Sequence, residues 1–567
     1  MPASSHQGAV ALERAPATRY DAARDFRWLL FRPLIALPRL LQILTALLGL
    51  ALTLFVQGSS KDPHVQRKLA SKLLKTLTRL GPCFIKVGQA LSTRPDLIRR
   101  DWLDELTKLQ DDLPPFDHAV ALAIIESELG SPADQLFLDF PDVPVAAASL
   151  GQVYRARLHS NHYVAVKVQR PDLTFILRRD LVLIRLFAVV VAPLLPLNLG
   201  VGLGEIIDEF GRSLFEEIDY LKEAANARRF ATLFANNPTV TIPCVEHLFS
   251  SQRVLTTSWV HGTKLRERQE LRAQRLDPTA LIYTGVISSL QQLLEFGYFH
   301  ADPHPGNLFA LSGRTGDFGH LAYVDFGMMD SISDHDRLIL TGAVVHLINR
   351  DFTALARDFQ ELGFLTPEAD LSLIVPALEE VLGGSLGDSV GSFNFKAITD
   401  RFSELMYNYP FRVPARFALI IRAVVSQEGL ALRLDPSFKI VAVAYPYIAR
   451  RLLAGDTSEM RDKLLEVLFN SKGHLRLERL ESLLKVASRQ DASSSPGAEL
   501  LPVASAGMRL LLSSNGADLR RRLLLTLIRD NRLNTEDIYA LFLLLRRTFD
   551  PRKIAGGMLQ GLNPLAT

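Results

Sequence analysis

One stretch of the sequence, residues 299–330, constrains the fold of this chain more than any other. It reads FHADPHPGNLFALSGRTGDFGHLAYVDFGMMD. Asp302 is followed five positions later by Asn307, and a second carboxylate, Asp325, comes directly after the apolar run LAYV. This order predicts a polar loop, a hairpin and a strand that ends at Asp325. The three side chains are of the types that orient a proton and bind Mg²⁺ during phosphoryl transfer.

The same stretch matches two motifs of protein kinases. Residues 300–302 stand at the HRD positions of HRDxxxxN, and residues 325–327 spell DFG. Residues 317–319 also spell DFG, but they follow the turn-forming residues 312–316 and have no strand before them. We therefore assign residues 317–319 to the tip of the hairpin and Asp325 to the metal.

A transition-metal cluster is the alternative interpretation of this stretch. His300, Asp302 and His304 all carry groups that can bind a metal. Pro303 and Pro305 hold the chain extended, however, and no third nitrogen ligand is evident in the sequence. We rank this alternative below the Mg²⁺ interpretation.

The sequence HYVAVKVQRP, residues 162–171, alternates strictly along its length. On a strand, Ala165 and Lys167 then share one face while valines occupy the other. A fixed lysine beside a small residue suits a nucleotide, because the lysine binds the α- and β-phosphates and the small residue lets adenine approach. Taken alone, the pattern fits a solvent-exposed lysine on an edge strand even better.

Small side chains precede this strand at Ala146, Ala147, Ala148 and Ser149, and the alternating residues 151–158 follow them. The order predicts a strand, a turn and a second strand. Small residues let backbone N–H groups approach phosphate oxygens, which is the reason kinases place glycine there. Because three of the four residues are alanine, a flexible GxGxxG loop is absent.

Residues 205–230 carry apolar side chains at helical spacing, which predicts a packed helix. Glu223 on this helix can orient Lys167 through an ion pair. Glu217 and Asp219 add two carboxylates a turn or two earlier. The alternative interpretation of these acids is a solvated helix face.

Composition restricts the class of protein and its environment. The chain has 567 residues, more than one core usually covers, so we expect at least two structural units. The formal net charge of +3 gives no case for nucleic acid as a partner. Cys83 and Cys244 form no CxxC pair, and the N-terminal residues show no cleaved targeting segment. We expect a reducing compartment, cytoplasmic or organellar, and no secretion.

Four segments outside the motifs carry structural signals. Residues 40–56 hold no charge, so they either associate with a membrane, where they are long enough to span it, or form a buried helix. Two prolines in residues 186–203 favour a kinked, buried helix. Residues 489–507 have the composition of a linker, and residues 534–549 have the charge order of a helix.

Three further marks complete a family resemblance. Lys86 and Gln89 form KxGQ within GPCFIKVGQALSTRPDLI, residues 146–149 form an alanine-rich loop, and residues 217–219 read ExD. With these marks the chain resembles the UbiB/ADCK family of atypical kinase-like proteins, which is linked to prenylquinone metabolism. The resemblance implies an α+β, two-lobed protein-kinase-like fold with a helical N-terminal extension (KxGQ) and a helical C-terminal region.

The expected domain order combines this resemblance with the composition. It runs through an N-terminal tail and apolar helix at 1–60, the KxGQ helical extension at 61–140, a kinase-like N-lobe at 141–262, a kinase-like C-lobe at 263–450, and a helical C-terminal region at 451–567 that includes the linker 489–507.

The motifs and the resemblance together assign roles to individual residues. We expect catalytic roles for Asp302, Lys167 and Glu223, nucleotide contacts from Ala146, Ala147, Ala148, Ser149, Ala165 and Lys167, metal binding by Asn307 and Asp325, and regulation by Lys86, Gln89, Glu217 and Asp219. The implied cofactors are ATP or ADP with Mg²⁺. The implied partners are membrane lipid or prenylquinone precursors and other proteins of the quinone pathway. The family pattern places Lys86 opposite Glu217 and Asp219, over the cleft where a protein substrate would lie.

Two departures narrow the function. Ser258 stands where the family hinge often carries an acid, and no APE motif follows Asp325 at the usual distance. The nearest similar sequence, residues 366–368, lies far downstream, so the platform for peptide substrates is missing. We therefore rank an Mg²⁺-dependent ATPase or small-molecule kinase first, a nucleotide-gated interaction protein second and an ordinary protein kinase last.

Overall fold

The computed structural model describes residues 19–57, 62–91, 102, 105–106, 114–191, 203–265, 267–312, 319–383, 409, 411–454, 458–469, 476, 480, 517, 520–521, 528–529, 532–533 and 539. These residues form runs of helices and separate groups of short, mainly antiparallel strands, so the predicted α+β class is confirmed. The expected linker at 489–507 lies outside the described residues, and so does the expected helix at 534–549 apart from Tyr539.

The chain divides into two compact units. Unit 1 comprises Met1–Gln274, Ala301–Thr315 and His320–Met329. Unit 2 comprises Arg275–His300, Gly316–Gly319 and Asp330–Thr567.

The helices of unit 1 lie mostly before and between the strands of its first sheet. They are α1 (Ala22–Leu30), α2 (Pro33–Gln57), α3 (Pro63–Leu80), α4 (Pro82–Leu91), α5 (His118–Leu129), α6 (Ala133–Leu136), α7 (Leu173–Val191), α8 (Leu203–Glu217), α9 (Tyr220–Leu233) and α10 (Arg268–Ala273), with a 3₁₀ turn at His247–Phe249.

The first sheet of unit 1 is antiparallel. Its strands are β1 (Phe137–Asp139), β2 (Ala146–Ala147), β3 (Gly151–Leu158), β4 (Tyr163–Gln169) and β6 (Val254–Ser258), in the order β1-β3-β4-β6 with β2 beside β3. On β4, Val164, Val166 and Val168 are buried while Ala165 and Lys167 lie on the other, half-exposed face. The predicted alternation along this strand is confirmed.

The second sheet of unit 1 carries the polar loop. Its strands are β5 (Val240–Thr241), β7 (Thr263–Lys264), β9 (Leu308–Leu311) and β10 (His320–Tyr323), in the order β5-β10-β9-β7. β9 and β10 form an antiparallel hairpin with Leu308 opposite Tyr323. The polar loop therefore enters this hairpin at one end and Asp325 leaves it at the same end.

The segment expected as a single helix at 205–230 is two helices, so that prediction was wrong in one respect. α8 ends at Glu217, and Asp219 adopts an extended backbone and accepts a hydrogen bond from the Leu221 N–H at 3.1 Å. Asp219 thus caps α9, which satisfies a free N–H at the start of the new helix. The break lies inside the ExD motif and turns Glu217 and Glu223 towards one region.

Unit 2 is mainly helical. Its helices are α11 (Pro278–Leu290), α12 (Asp334–Ile348), α13 (Phe352–Glu361), α14 (Leu371–Leu378), α15 (Ala415–Leu434), α16 (Ile440–Ala454) and α17 (Ser458–Leu468), with π-helical turns at Gln291–Phe296 and Glu379–Gly383. Short strands lie at β8 (Tyr298–His300), β11 (Met329–Ser331, which begins on the last residue of unit 1), β12 (Ile528–Arg529) and β13 (Arg532–Leu533). Between α12 and α13, His346 Nδ1 lies 2.6 Å from Asp358 Oδ2, and both side chains are buried.

Two apolar segments are more exposed to solvent than a helix in a protein core would be. Residues 40–56 lie in α2, of which 12% is buried over its most apolar window, so α2 is not a core helix. α7 ends at Val191, and its last turns expose Leu186 and Val190. The helix expected here is present as far as Val191 and Ala188 is buried, but the expected burial is wrong for residues 186, 187, 189 and 190. Residues 192–202 lie outside the described part.

Helix α7 offers a matched pair of leucines that tests the packing of unit 1. Leu177 is fully buried among the helices of the N-terminal core, whereas Leu186 on the same helix is 42% exposed. We expect Leu177→Ala to lower the free energy of unfolding by about 2–5 kcal/mol, because it leaves a cavity. The exposed control Leu186→Ala should cost less than about 1 kcal/mol. Equal losses in urea unfolding would contradict this packing.

Candidate active site

Lys167 and Glu223 form the central ion pair of unit 1. Lys167 projects from β4, and its Nζ donates to both oxygens of Glu223 on α9, at 2.9 and 2.8 Å. The Glu223 carboxylate is almost completely buried, while the Lys167 side chain keeps partial access to solvent. A lysine held in this way presents a fixed positive charge on one face of the sheet, because β4 lies between β3 and β6 and is not an edge strand.

Asp325 lies on the other side of the same lysine. Its Oδ2 is 3.7 Å from Lys167 Nζ, and its Oδ1 accepts the Gly327 N–H at 2.9 Å. A side chain at Gly327 would meet three acids, because an added Cβ would lie 3.2 Å from Asp325 Oδ1 and 3.7 Å from both Glu217 Cγ and Glu223 Oε2. A side chain here would therefore crowd the Asp325 carboxylate, while its distances to the two glutamates are ordinary contacts.

Burial and the neighbouring charges have opposite effects on the pKa values of Glu223 and Lys167. Burial raises the pKa of Glu223 to about 7, although the Lys167 cation acts against the shift. Burial disfavours the charge of Lys167, but the carboxylates of Asp325 and Glu223 outweigh it, and the pKa of Lys167 lies well above its usual value. Lys167 is therefore a permanent cation, whereas Glu223 is an acid that can exchange a proton near neutral pH.

The alanine-rich loop has the strand-turn-strand form expected from its sequence. Ala146 and Ala147 pair with β3, and the Ala148 N–H donates to the Gly151 carbonyl at 2.8 Å. The Arg170 guanidinium clamps the loop by donating to the Ala148 carbonyl at 2.9 Å. Ser149 at the turn is buried. This loop is held by its neighbours and is not a free glycine flap.

Tyr220 closes the floor beneath this loop. Its ring lies 5.0 Å from Lys167 Nζ in a cation–π arrangement. A Cβ at Gly151 would lie 2.5 Å from the Tyr220 hydroxyl, which explains the glycine at that position. Within the described part of the chain, this buried hydroxyl has no hydrogen-bond partner, and burial raises its pKa. An orphaned hydroxyl under a small-residue loop is consistent with a polar ligand at this place.

The polar loop between Asp302 and Asn307 is a compact turn. The His304 N–H donates to the Asp302 carbonyl at 2.7 Å, and the Asn307 N–H donates to the His304 carbonyl at 2.8 Å. The Val324 N–H then donates to the Asn307 carbonyl at 3.2 Å. The Asn307 side chain also donates to the Asp302 carbonyl at 3.4 Å, so backbone and side-chain bonds together tie the loop to the residue that precedes Asp325.

The KxGQ lysine reaches the same cluster from α4. Lys86 Nζ forms an ion pair with Glu217, and both side chains are largely shielded from solvent. Gln89 lies on the same short helix and is half-buried. Asp219 has a different task in the structure, since its side chain caps α9. The positive charge of Lys86 thus lies beside the acid that flanks Gly327.

Several residues that shape the site were not singled out from the sequence. Asn226 donates to the Phe326 carbonyl at 3.0 Å and fixes the DFG backbone, and Gln169 donates to the Ile218 carbonyl at 2.6 Å at the helix break. Asn226 follows Glu223 by three positions, so the helical period was a usable signal. Tyr220 precedes Glu223 by three positions and shares this signal, whereas Gln169 and Arg170 lack it because their partners lie 49 and 22 positions away.

The hinge departure at Ser258 has a structural use. The Ser258 hydroxyl accepts the Cys244 N–H at 2.9 Å, and the Ser258 N–H donates to the Cys244 carbonyl at 2.8 Å. These two bonds attach the end of β6 to the preceding segment. A serine at this position therefore stabilises the strand end without a charged side chain.

The donor set fits a magnesium nucleotide better than a transition metal. Asn307 and Asp325 supply the oxygen ligands that Mg²⁺ prefers. Among the described residues, no group of three or more His, Cys, Asp or Glu side chains is arranged to hold a metal ion. The histidine-based cluster is therefore not supported in this part of the chain, and phosphate oxygens would have to complete the coordination of Mg²⁺.

Comparisons with known proteins agree with this geometry. A model of the ABC1 atypical kinase-like domain matches residues 108–359. An uncharacterised protein of Synechocystis sp. is 50% identical over 539 residues, which cover 94% of this chain and 93% of that protein. The chain belongs to the ABC1 atypical kinase-like family. The resemblance to the UbiB/ADCK proteins is thereby confirmed.

Two further comparisons are with a plant protein and with a solved bacterial structure. The Arabidopsis thaliana protein ACTIVITY OF BC1 COMPLEX KINASE 1, chloroplastic, is 42% identical over 514 residues, which cover 88% of this chain and 74% of that protein. Among solved structures, Rv3197 of Mycobacterium tuberculosis in complex with erythromycin aligns with a TM-score of 0.45 and 24% identity, over 67% of this chain and 96% of that chain.

The raised pKa of Glu223 predicts a pH dependence of nucleotide binding. Glu223 takes up a proton as the pH falls through about 7. The protonated carboxyl has no negative charge, so the ion pair that orients Lys167 is lost. Affinity for Mg-ADP should then fall by up to about tenfold per pH unit. Isothermal titration calorimetry on the wild type and on Glu223→Gln checks this, because the variant should bind weakly without that step. An identical pH profile in both proteins would assign the step to another group.

The raised pKa of Glu223 also makes the stability of the fold depend on pH. The folded protein holds the proton of Glu223 more tightly than the unfolded chain does, so this group favours folding at low pH. That contribution is complete below the ordinary pKa of 4.5 and is lost as the pH rises through about 7. The pH range that favours nucleotide binding is therefore the range in which this carboxylate costs stability.

Proposed function

We propose that this protein binds ATP or ADP with Mg²⁺ and acts as an atypical kinase-like ATPase or small-molecule kinase. The observation that carries the proposal is the contact of Lys167 Nζ with Glu223 at 2.8 Å and with Asp325 at 3.7 Å. This arrangement supports the proposal because one cation contacts two acids, of which Glu223 would orient the lysine and Asp325 would bind the metal during phosphoryl transfer.

Each group of the site has a distinct task in this proposal. Lys167, oriented by Glu223, binds the α- and β-phosphates, and the backbone of residues 146–149 contacts the phosphates. Asn307 and Asp325 would hold Mg²⁺, and Ala165 leaves space for adenine. Asp302 accepts or orients the proton of the attacking hydroxyl or water. Held by Asn307 and Asp325, Mg²⁺ would supply positive charge to the phosphoryl group that passes from ATP to the acceptor oxygen, with ADP as the leaving group.

The acceptor belongs to a membrane rather than to a peptide. The missing APE platform and the Lys86–Glu217 ion pair beside Gly327 both disfavour a protein substrate. The apolar helix α2 favours action at a lipid surface. Relatives named as chloroplastic support an organellar or related reducing location. The proposed role is support of prenylquinone biosynthesis or lipid metabolism, with prenylquinone precursors and pathway proteins as partners.

A nucleotide-gated interaction protein is the second candidate. The observation that favours it is the closed arrangement around Gly327, where Lys86 neutralises Glu217 next to the metal-binding segment. In this version the nucleotide orders the site and turnover is incidental. The two candidates differ in whether phosphate is released.

Phosphate release from the pure protein separates these candidates. We expect Mg²⁺-dependent release that rises with liposomes and quinone-like headgroups and falls in Asp325→Asn by on the order of 100- to 1,000-fold, because one stabilising group is lost. Asp317→Asn is the matched control, since it changes the other DFG sequence and should leave the rate unchanged. Absence of release, or equal rates in Asp325→Asn and the wild type, would favour the second candidate.

Peptide phosphorylation tests the lowest-ranked function. We expect no phosphate transfer from radiolabelled ATP to a panel of peptides, because the platform that would hold them is missing. Transfer that disappears in Asp302→Ala and increases in Lys86→Ala would instead show an ordinary protein kinase restrained by the KxGQ lysine.

A further inference from the structure

Helix α2 carries an apolar stripe along its whole length that the described part of the protein leaves uncovered. The side chains of this exposed stripe recur at helical spacing and are between 62% and 89% exposed: Leu34, Leu37, Leu41, Leu48, Leu52 and Phe55. Such a continuous apolar surface is unfavourable in water and marks a site of contact with a partner or a membrane.

The opposite face of α2 is fixed to the protein. Ile43 and Leu50 are buried on that face, and the Arg39 guanidinium binds Asp180 of α7 at 2.6 and 3.0 Å. Asp180 is fully buried and also pairs with Arg179 at 2.8 Å, so losing Arg39 would remove one of the two cations that compensate this internal charge. Further along α2, Lys72 of α3 donates to the Gly49 carbonyl at 3.1 Å. The helix is therefore attached over most of its length.

The neighbouring helix α3 is strongly basic on its exposed side. A surface depression of about 500 Å³ is lined there by His64, Arg67, Lys68, Ser71, Lys72 and Lys75. The cations recur every three or four residues and so share one face of the helix. Among the described residues, Ser71 donates to Glu105 at 2.8 Å and Asp62 caps the start of α3 next to His64, which brings two acids near four cations. The depression therefore keeps a clear positive charge beside α2.

This arrangement is incompatible with α2 as a membrane span. A helix that crosses a bilayer is surrounded by lipid or by other apolar helices over about 30 Å. Here the polar helix α3 packs along α2, and Arg67, Lys68, Lys72 and Lys75 would enter the hydrocarbon with it, at high cost. α2 is long and apolar enough to span, but its neighbours are not suited to that environment.

We propose that α2 lies in the plane of an anionic lipid surface, with its exposed stripe in the acyl boundary and the α3 cations on lipid phosphate groups. An apolar face flanked by basic side chains is the pattern of an interfacial helix, and charge complementarity selects anionic over neutral lipid. The inference rests on the proposed action at a membrane and defines the kind of contact. It does not depend on nucleotide turnover.

Flotation of the full chain with lipid vesicles in the absence of nucleotide tests this proposal. The protein should float with phosphatidylcholine vesicles that contain phosphatidylglycerol, float poorly with phosphatidylcholine alone, and be released by high salt. The triple variant Arg67→Gln/Lys68→Gln/Lys75→Gln should bind anionic vesicles on the order of 100-fold more weakly. Leu41→Ser/Leu48→Ser should weaken binding to both kinds of vesicle.

A charge-matched variant and a folding check make the result specific. Arg268→Gln/Arg272→Gln/Arg357→Gln removes the same number of exposed cations elsewhere and should bind vesicles like the wild type. All variants should keep the wild-type melting temperature. Equal binding to neutral and anionic vesicles, full binding by the α3 variant, or no binding to either vesicle would overturn the proposal. So would protein in cell membranes that resists alkaline extraction, because that behaviour identifies a span.

The outcome is separable from that of the proposed function. If phosphate release is absent while anionic vesicles still capture the protein, the ATPase fails and the docking surface stands. If release is normal while flotation fails, the docking surface alone is wrong.

Discussion

The ion pair between Lys167 and the buried Glu223 is the interaction on which the site depends. Neither partner is stable alone in that position, because an unpaired buried charge is strongly unfavourable. The pair therefore fixes α9 against β4, and the capped start of α9 at Asp219 determines where Glu223 stands. Asp325 and Gly327 are then placed by contact with this pair. The same two side chains thus fix the position of α9 and the geometry of the candidate site, although burial of the Glu223 carboxylate costs stability above neutral pH.

The predictable part of the site is the part encoded by short-range patterns. Alternation alone separated the buried Val166 from Lys167, because the period of a strand is two. The break at Asp219 escaped prediction, since the apolar spacing continues across it and one capping residue outweighs that spacing. The Arg170 clamp on Ala148 joins residues 22 positions apart, and no local pattern reports such a bond.

Helix α2 shows a second limit of sequence reasoning. Its composition fits a span, an interfacial helix or a core helix equally well, because hydropathy does not report neighbours. The support for an interfacial helix comes from Arg39, whose partner Asp180 lies 141 positions away, and from the basic face of α3. A single buried ion pair on the inner side of an apolar helix therefore carries more information about its environment than the apolar run itself.

Helix α2 and the residues next to the KxGQ lysine, Lys86, belong to one hydrophobic core. Ile43 of α2, Phe84 and Ile85 of α4, and Phe215 and Ile218 beside the ExD motif all belong to it. Lys86 follows Ile85 directly, and Glu217 lies between Phe215 and Ile218. The shared core connects α2 to Lys86 and Glu217 through packed side chains. Lipid contact at α2 would change the site only if that core had a second arrangement. The proposed lipid contact at α2 would therefore act mainly by orienting the protein. It would hold the Lys86–Glu217 side of the site at a fixed position relative to the lipid surface.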